Sequence, residues 1–390
     1  MNILNSSKFY IGIMSGTSLD GIDAVLVDFN QQGKIIEYAS LHFDDDLKTL
    51  LLQLQKPIDN EIHLSQLAST NLSVHYAKAV DFLLKKANLN ANDIIAIGSH
   101  GQTIRHQPQK NDLKNSYTIQ IQNPSLLAEL TGIDTISNFR EADIAAGGQG
   151  APLVPAFHAD YFKYLLNKYA QIIVCNIGGM SNITILKQDN PVLGMDCGAG
   201  NVLCDAWIKH NLNQDFDADG SWARAGTINN NLLEIMLRDE YFKQQLPKST
   251  GRERFNLDFV LNAVAELGSL ELVKCSASDI QSTLVHFTAS AIAQHTKKYG
   301  YSNNSSTNEK CLLAVCGGGA RNSFLLECIQ KYLPEYEVCT TTSLGLDAQH
   351  VEALAFAWLA KQYVEGKPSN LPDVTGASKY KVLGGLFKKS

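Results

Sequence analysis

Three glycine-rich stretches of this chain combine a permissive backbone with groups that handle phosphate or protons. The first, Ser15-Gly16-Thr17-Ser18-Leu19-Asp20-Gly21, places two glycines and three hydroxyls between two apolar runs. Glycine lets the backbone approach closely and adopt positive φ, so such a turn can aim N–H groups at phosphate oxygens. The same residues also make an ordinary hairpin turn. The second stretch, Gly194-Met195-Asp196-Cys197-Gly198-Ala199-Gly200-Asn201, ends a strand and runs into a helix, whose first N–H groups and positive dipole end favour an anion. Asp196 there can take a proton, hold a magnesium ion, or cap the turn. The third stretch is Val315-Cys316-Gly317-Gly318-Gly319-Ala320-Arg321-Asn322. Its three consecutive glycines clear one side of the turn for a flat purine or ribose. A Walker A motif and a strand-then-helix G-x-G-x-x-G are both absent.

The elements around these turns repeat. Apolar runs at Phe9 to Met14, Ile22 to Phe29 and Ile35 to Phe43, separated by turn residues, read as an antiparallel meander. A helix follows, with Leu64, Leu67, Ala68, Leu72, Tyr76, Ala79, Val80 and Leu83 on one face. Strands at Ile94 to Gly98, Tyr117 to Ile121 and Ile133 to Ser137 come next, with a short helix from Ser125. From Gln171 the order begins again: QIIVCNI, Asn182 to Leu186 and Val192 to Met195 as strands, then a helix from Asn201. After a helical middle from Leu232 to about Thr296 and a polar loop at 301–310, CLLAVCG is a buried strand. A helix from Asn322 to Tyr332, a strand from Glu337 to Thr341 and a helix from His350 to Tyr363 complete the pattern. Two β-β-β-α-β-α units in one α/β chain suggest a ligand lying between two halves.

A length of 390 residues favours two domains over a single core. The net charge of −6, with no basic run longer than a pair, speaks against nucleic acid and for a small-molecule partner. Eight cysteines without a C-x-x-C pair read as small buried hydrophobes in a reducing compartment. The opening MNILNSSKFY lacks the charged and apolar regions of a signal peptide, and no apolar run reaches membrane-spanning length. The expectation is a cytoplasmic protein without a membrane partner.

In chain order, GIMSGTSLDGIDAVL, AIGSHGQT, ADIAAGGQGAPLVPAFH, NIGGMSNIT, DCGAGNVLCDAW, WARAG, PKSTGRERFN, CGGGARN, VEALAFAWLA and LPDVTGAS resemble the anhydro-N-acetylmuramic acid kinases. That family lies within the actin, heat-shock chaperone and sugar-kinase superfamily. The resemblance implies two ribonuclease H-like β-β-β-α-β-α domains around an interdomain cleft. One would comprise 1–140 plus about 364–390 with the first phosphate loop, and the other 141–363 with the second phosphate and adenosine loops. It further implies ATP and Mg2+ as cofactors, an amino-sugar substrate of cell-wall recycling, and a homodimer.

Carried onto this sequence, the resemblance makes Gly16, Thr17, Ser18, Leu19, Asp20, Gly21, Ile22 and Asp23 an ATP-binding stretch and Asp196 the catalytic base. Gly198, Gly200 and Asn201, with Gly317, Gly318 and Gly319, would complete the nucleotide site. Arg140 and Glu352 would contact the anhydro sugar, with His100 to Thr103 and Asp143 lining the cleft. Four departures stand out. Met14 occupies the place of a superfamily aspartate, Ala199 that of a family proline, Asn138 that of an aspartate, and Gln349 that of a frequent acid.

Plainer roles remain open for several of these residues: a turn histidine at 100, a dipole-favoured helix start at Glu352, and a surface ion pair of Arg140 with Asp143. Gly147 to Gly150 reads as an interdomain turn. Lys248 to Glu253 fits a sugar contact, a dimer contact or a helix cap. Rival functions are an ordinary amino-sugar kinase and an actin- or chaperone-like ATPase.

Overall fold

The computed structural model describes residues 9–16, 19, 21–109, 112–246, 248, 250–268, 275–300 and 310–390. The chain divides into two compact units: residues through Tyr161 together with His350–Ser390, and Phe162–Gln349.

In the first unit, β1 (Phe9–Met14), β2 (Gly21–Asp28) and β3 (Lys34–His42) form the meander that their apolar runs predict. The helix Glu61–Ala87 crosses to β4 (Ile94–Ser99), which pairs parallel with β1, and β7 (Thr135–Ser137) pairs parallel with β4. The sheet order is β3-β2-β1-β4-β7, extended at its far edge by β13 (Gly385–Phe387), antiparallel to β7. Two strands, β5 (Gln102–Gln107) and β6 (Tyr117–Ile121), make a separate hairpin outside this sheet. The run from Gln102 shows no apolar alternation, and the strand read at Tyr117 to Ile121 has β5 as its partner.

The second unit repeats the order. β8 (Gln171–Ile177), β9 (Met180–Lys187) and β10 (Leu193–Ala199) form a meander, and β11 (Cys311–Cys316) and β12 (Tyr336–Thr340) add in parallel beyond β8. The order is β10-β9-β8-β11-β12. Each sheet therefore has its first strand in the middle, with the hairpin strands on one side and the crossover strands on the other. β8 and β11 are buried almost throughout, as strands covered on both faces are, which is why they read as unbroken apolar runs.

The helix Val351–Val364 packs against β1 and β4 of the first unit. Two glycines permit the approach: a Cβ at Gly12 would stand 1.9 Å from the Ala353 carbonyl oxygen, and one at Gly98 would stand 2.0 Å from that of Phe356. Sequence-based boundaries put 141–363 in one domain. The structure places 141–161 and 350–363 in the first unit instead, because this helix covers the face of the first sheet.

Candidate active site

In each unit the glycine turns follow the carboxyl ends of parallel strands, the edge where open α/β sheets bind ligands. In the first unit these are the segments after β1, β4 and β7. Ser15 leaves β1 buried, its hydroxyl 2.8 Å from the Tyr76 hydroxyl and donating to the Gly101 carbonyl at 3.3 Å. Its hydroxyl is thus spent on fixing the turn. Leu19 is buried with φ +58°, and its N–H closes onto the Gly16 carbonyl. A Cβ at Gly21 would meet the Leu41 carbonyl at 2.2 Å, so only glycine fits where β2 begins. Ile22 is buried in β2, and Asp23 accepts a 2.8 Å hydrogen bond from Ser40. Thr17, Ser18 and Asp20 lie outside the described residues.

Past β4, the His100 N–H bonds the Ile13 carbonyl, tying the second loop to the end of β1. Its ring is buried, with Nδ1 2.7 Å from the Gly101 carbonyl and Nε2 accepting from Arg140 Nε at 3.0 Å and lying 2.9 Å from Nη2. Those partners define a neutral imidazole protonated on Nδ1. Burial and then the Arg140 charge hold its pKa well below the usual value. Arg140 also donates to the Gly150 carbonyl at 2.8 Å. Burial draws its pKa down to about 10, against the pull of Glu352 and Asp143. Glu352, in the first turn of its helix, has its carboxyl raised by burial, lowered by Arg140 and raised by Asp23. Electrostatically, Asp23, Arg140 and Glu352 form one group.

Asp143 is fully buried and does not form a surface ion pair. One carboxylate oxygen accepts from the Gly150 N–H at 2.8 Å, the other from Asn370 at 2.8 Å and the Thr375 hydroxyl at 2.7 Å. It fixes the Gly147–Gly150 loop to the C-terminal segment, and that loop presents the carbonyl that Arg140 binds. Asn138 takes φ +59°, a left-handed conformation that asparagine tolerates well.

In the second unit Asp196 lies in β10 opposite Asn182, and the register shifts directly after it, with Cys197 as the extra residue. Its Oδ2 accepts the Thr250 N–H at 3.0 Å, and its backbone carbonyl accepts the Tyr241 hydroxyl at 2.7 Å. Burial raises its pKa to about 6, the Thr250 N–H and the Lys248 charge pull it down, and Glu253 pushes it up. A carboxylate with that pKa remains largely ionised near neutrality and is a stronger base than an ordinary aspartate. Gly198 takes φ +129°, and the N–H groups of Gly200 and Asn201 bond the carbonyls of Gly179 and Gly178 at 2.8 Å each. A Cβ on Gly200 would stand 2.4 Å from the Gly178 carbonyl.

Gly317 has φ +78°, and its N–H bonds the Ala348 carbonyl. Side chains at Gly317 or Gly319 would collide with Asn176 or Ile177 at 2.3 and 2.5 Å, so these two serve packing. Gly318 has only the Asn201 amide at 3.5 Å and presents the open face. Gln349 donates to the Gly317 carbonyl at 2.8 Å, a bond an ionised acid would be unable to make.

The topology also corrects one pairing. The second-unit counterpart of the β1–β2 turn is the β8–β9 turn at Gly178 and Gly179, whereas Asp196 to Asn201 belongs to the third strand and the helix after it. The turn carries glycines but no acid or hydroxyl, so residue chemistry alone did not single it out. Tyr241, Lys248 and Thr250 were also missed as partners of Asp196; the N–H of Thr250 carries no side-chain signal at all. Among the described residues no three His, Cys, Asp or Glu side chains gather into a metal site, and no helix is long and apolar enough to cross a membrane.

Two sheets of one topology, each gathering glycine turns and polar groups at the carboxyl edge of its parallel strands, define a two-domain α/β protein of the ribonuclease H-like, actin and sugar-kinase class. The anhydro-N-acetylmuramic acid kinase family model matches residues 8–389, and the chain belongs to that family. It is 46% identical to the anhydro-N-acetylmuramic acid kinase of Shewanella pealeana, covering 98% of this chain and 99% of that protein. It is 45% identical to that of Thiobacillus denitrificans, covering 97% and 96% respectively. Among solved structures, a ROK family glucokinase from Streptomyces griseus in complex with glucose and AMPPNP aligns over 91% of this chain and 99% of its own, at 12% identity and a TM-score of 0.40.

Proposed function

We propose that this enzyme converts 1,6-anhydro-N-acetylmuramic acid, ATP and water into N-acetylmuramic acid 6-phosphate and ADP, as a step in recycling bacterial cell wall. The observation that carries this reading is the end-to-end likeness to relatives named for that substrate, together with a base-like Asp196. The anhydro sugar has no free 6-hydroxyl, so the 1,6-bridge must open before or while O6 is phosphorylated. Asp196 accepts a proton from water as the water oxygen bonds C1; the C1–O6 bond breaks, O6 bonds the γ-phosphorus, and ADP leaves with the bridging oxygen. The Thr250 N–H orients the carboxylate, and the neutral half of its titration lies low enough for it to act as a base near pH 7.

The Gly16–Asp23 turn, Gly198, Gly200, Asn201 and the Gly317–Gly319 turn would take the nucleotide. Arg140 and Glu352 would bind the sugar, with His100 and Asp143 holding Arg140 in place. Among the described residues no three His, Cys, Asp or Glu side chains could cage an ion, which fits a magnesium ion borne by the phosphates and needing few protein ligands; when bound it would neutralise phosphate charge. We place the enzyme in the cytoplasm as a homodimer, by the same family likeness.

An isotope experiment tests the coupling. In ¹⁸O-water the label should enter the sugar at C1 and stay out of the new phosphate ester. Label in the ester would refute the coupled mechanism. An ordinary amino-sugar kinase would instead phosphorylate free N-acetylmuramic acid at least as fast as the anhydro form.

A further inference from the structure

Lys248, Arg252 and Arg254 are close in sequence to Thr250, whose N–H holds Asp196, and two of these three cations are occupied. Lys248 donates to the Tyr241 carbonyl at 3.1 Å and sits 4.2 Å from the centre of that ring. Arg254 binds Asp239 through Nε at 2.8 Å and Nη2 at 2.6 Å. Arg252 is exposed, and among the described residues its guanidinium has no acid partner. It lies instead against the β8–β9 turn: a Cβ on Gly179 would meet Arg252 Nη2 at 3.5 Å and Nε at 3.8 Å.

That turn is built to meet an anion. The carbonyls of Gly178 and Gly179 are spent on the N–H groups of Gly200, Asn201 and Val202, while the Gly179 N–H donates no hydrogen bond among the described residues. What the turn offers is therefore a donor beside an uncommitted guanidinium fork, the arrangement that recognises phosphate oxygens bidentately. The chain also ties this cation to the base. Thr250, whose N–H holds Asp196, is two residues from Arg252, a span of at most about 7 Å.

We propose that Arg252 binds the γ-phosphoryl group of ATP at the Gly178–Gly179 turn and neutralises its charge as it passes to O6. This rests on the kinase reading above. Thr250 and Arg252 then serve both partners of the reaction, the first holding the carboxylate that activates water and the second meeting the transferred group.

The test uses full-length Arg252→Met and Arg252→Lys. With the anhydro sugar, Arg252→Met should lose about a thousandfold in kcat/KM for ATP, with the sugar KM within about threefold, and added guanidinium ion should restore part of the turnover. Arg252→Lys should fall between. At equilibrium, affinity for a non-hydrolysable ATP analogue should drop about tenfold or more in Arg252→Met while AMP affinity stays the same. Turnover within threefold of wild type, or equal losses for the analogue and AMP, would overturn the assignment. The binding arm needs no sugar, so it decides the role of Arg252 even if the wild type releases no ADP with the anhydro sugar, a result that would count against the substrate assignment alone.

Discussion

The two units place their polar groups at the same edge of the same topology, yet hold them in opposite ways. In the first, His100, Arg140, Asp143 and the 147–150 loop lock one another: the imidazole uses both nitrogens, the guanidinium three of its donors, and the Asp143 carboxylate both oxygens. In the second, the described structure gives the Asp196 carboxylate one N–H partner and a pKa moved toward neutrality. A closed network fixes geometry and suits recognition. A sparsely bonded, partly desolvated carboxylate suits proton transfer, because less has to be undone when it changes charge.

From that contrast the largest effect is expected of Asp196→Asn. Losing the base should cut kcat by about 10³-fold or more, while affinity for an ATP analogue stays within about threefold. A single-turnover assay alongside nucleotide titration separates the two. Near-normal turnover would place the base elsewhere.

Next comes Asp143→Ala, which removes the acceptor of the buried Gly150 N–H, leaves the Asn370 amide only the Lys379 carbonyl and leaves the Thr375 hydroxyl only the longer bond to the Leu371 carbonyl. We expect a stability loss of about 3 kcal/mol in denaturant unfolding. Asp143→Asn, which keeps an acceptor, should lose less. Equal losses would mean that the charge, and not the bonds, is what the site requires. A smaller effect is expected from Arg140→Lys: a point charge is unable to span both His100 Nε2 and the Gly150 carbonyl, so the sugar KM should rise about tenfold, with ATP affinity unchanged.

The contrast itself was only half legible in the sequence. The meanders, the crossover helix and the buried strands of both sheets announce themselves through local periodicity, and the three glycine turns fall where those elements end. Asp196 stood out as an acid among glycines. What the sequence hid is tertiary. Asp143 resembled a surface partner of Arg140 because two of its donors lie more than 220 residues away, at Asn370 and Thr375. The helix Val351–Val364 looked like part of the second domain because the glycines that seat it, Gly12 and Gly98, belong to distant strands. The Gly178–Gly179 turn became visible only through sheet order, and a backbone N–H such as that of Thr250 leaves no mark in a residue's identity.

The smallest expected effect tests the sparse site from the side of stability. Burial lifts the Asp196 pKa from an ordinary 3.8 to about 6 in the folded protein. The folded state therefore holds the proton more tightly than the unfolded state, and the ionised carboxylate costs stability. That cost is absent below about pH 4, grows as pH rises through the window from 4 to 6, and is complete above it. The shift would correspond to about 3 kcal/mol, which partial solvation of this half-buried group reduces to about 1 kcal/mol. Asparagine keeps an oxygen to accept the Thr250 N–H and carries no charge. Asp196→Asn should thus be more stable than wild type at pH 7.5 by about 1 kcal/mol, the gain shrinking to nothing near pH 4. Thermal melts of both proteins across that range check the sign: a variant less stable than wild type at pH 7.5 would mean that Thr250 and Lys248 stabilise the ionised carboxylate more than burial opposes it, and the base would then titrate as an ordinary aspartate.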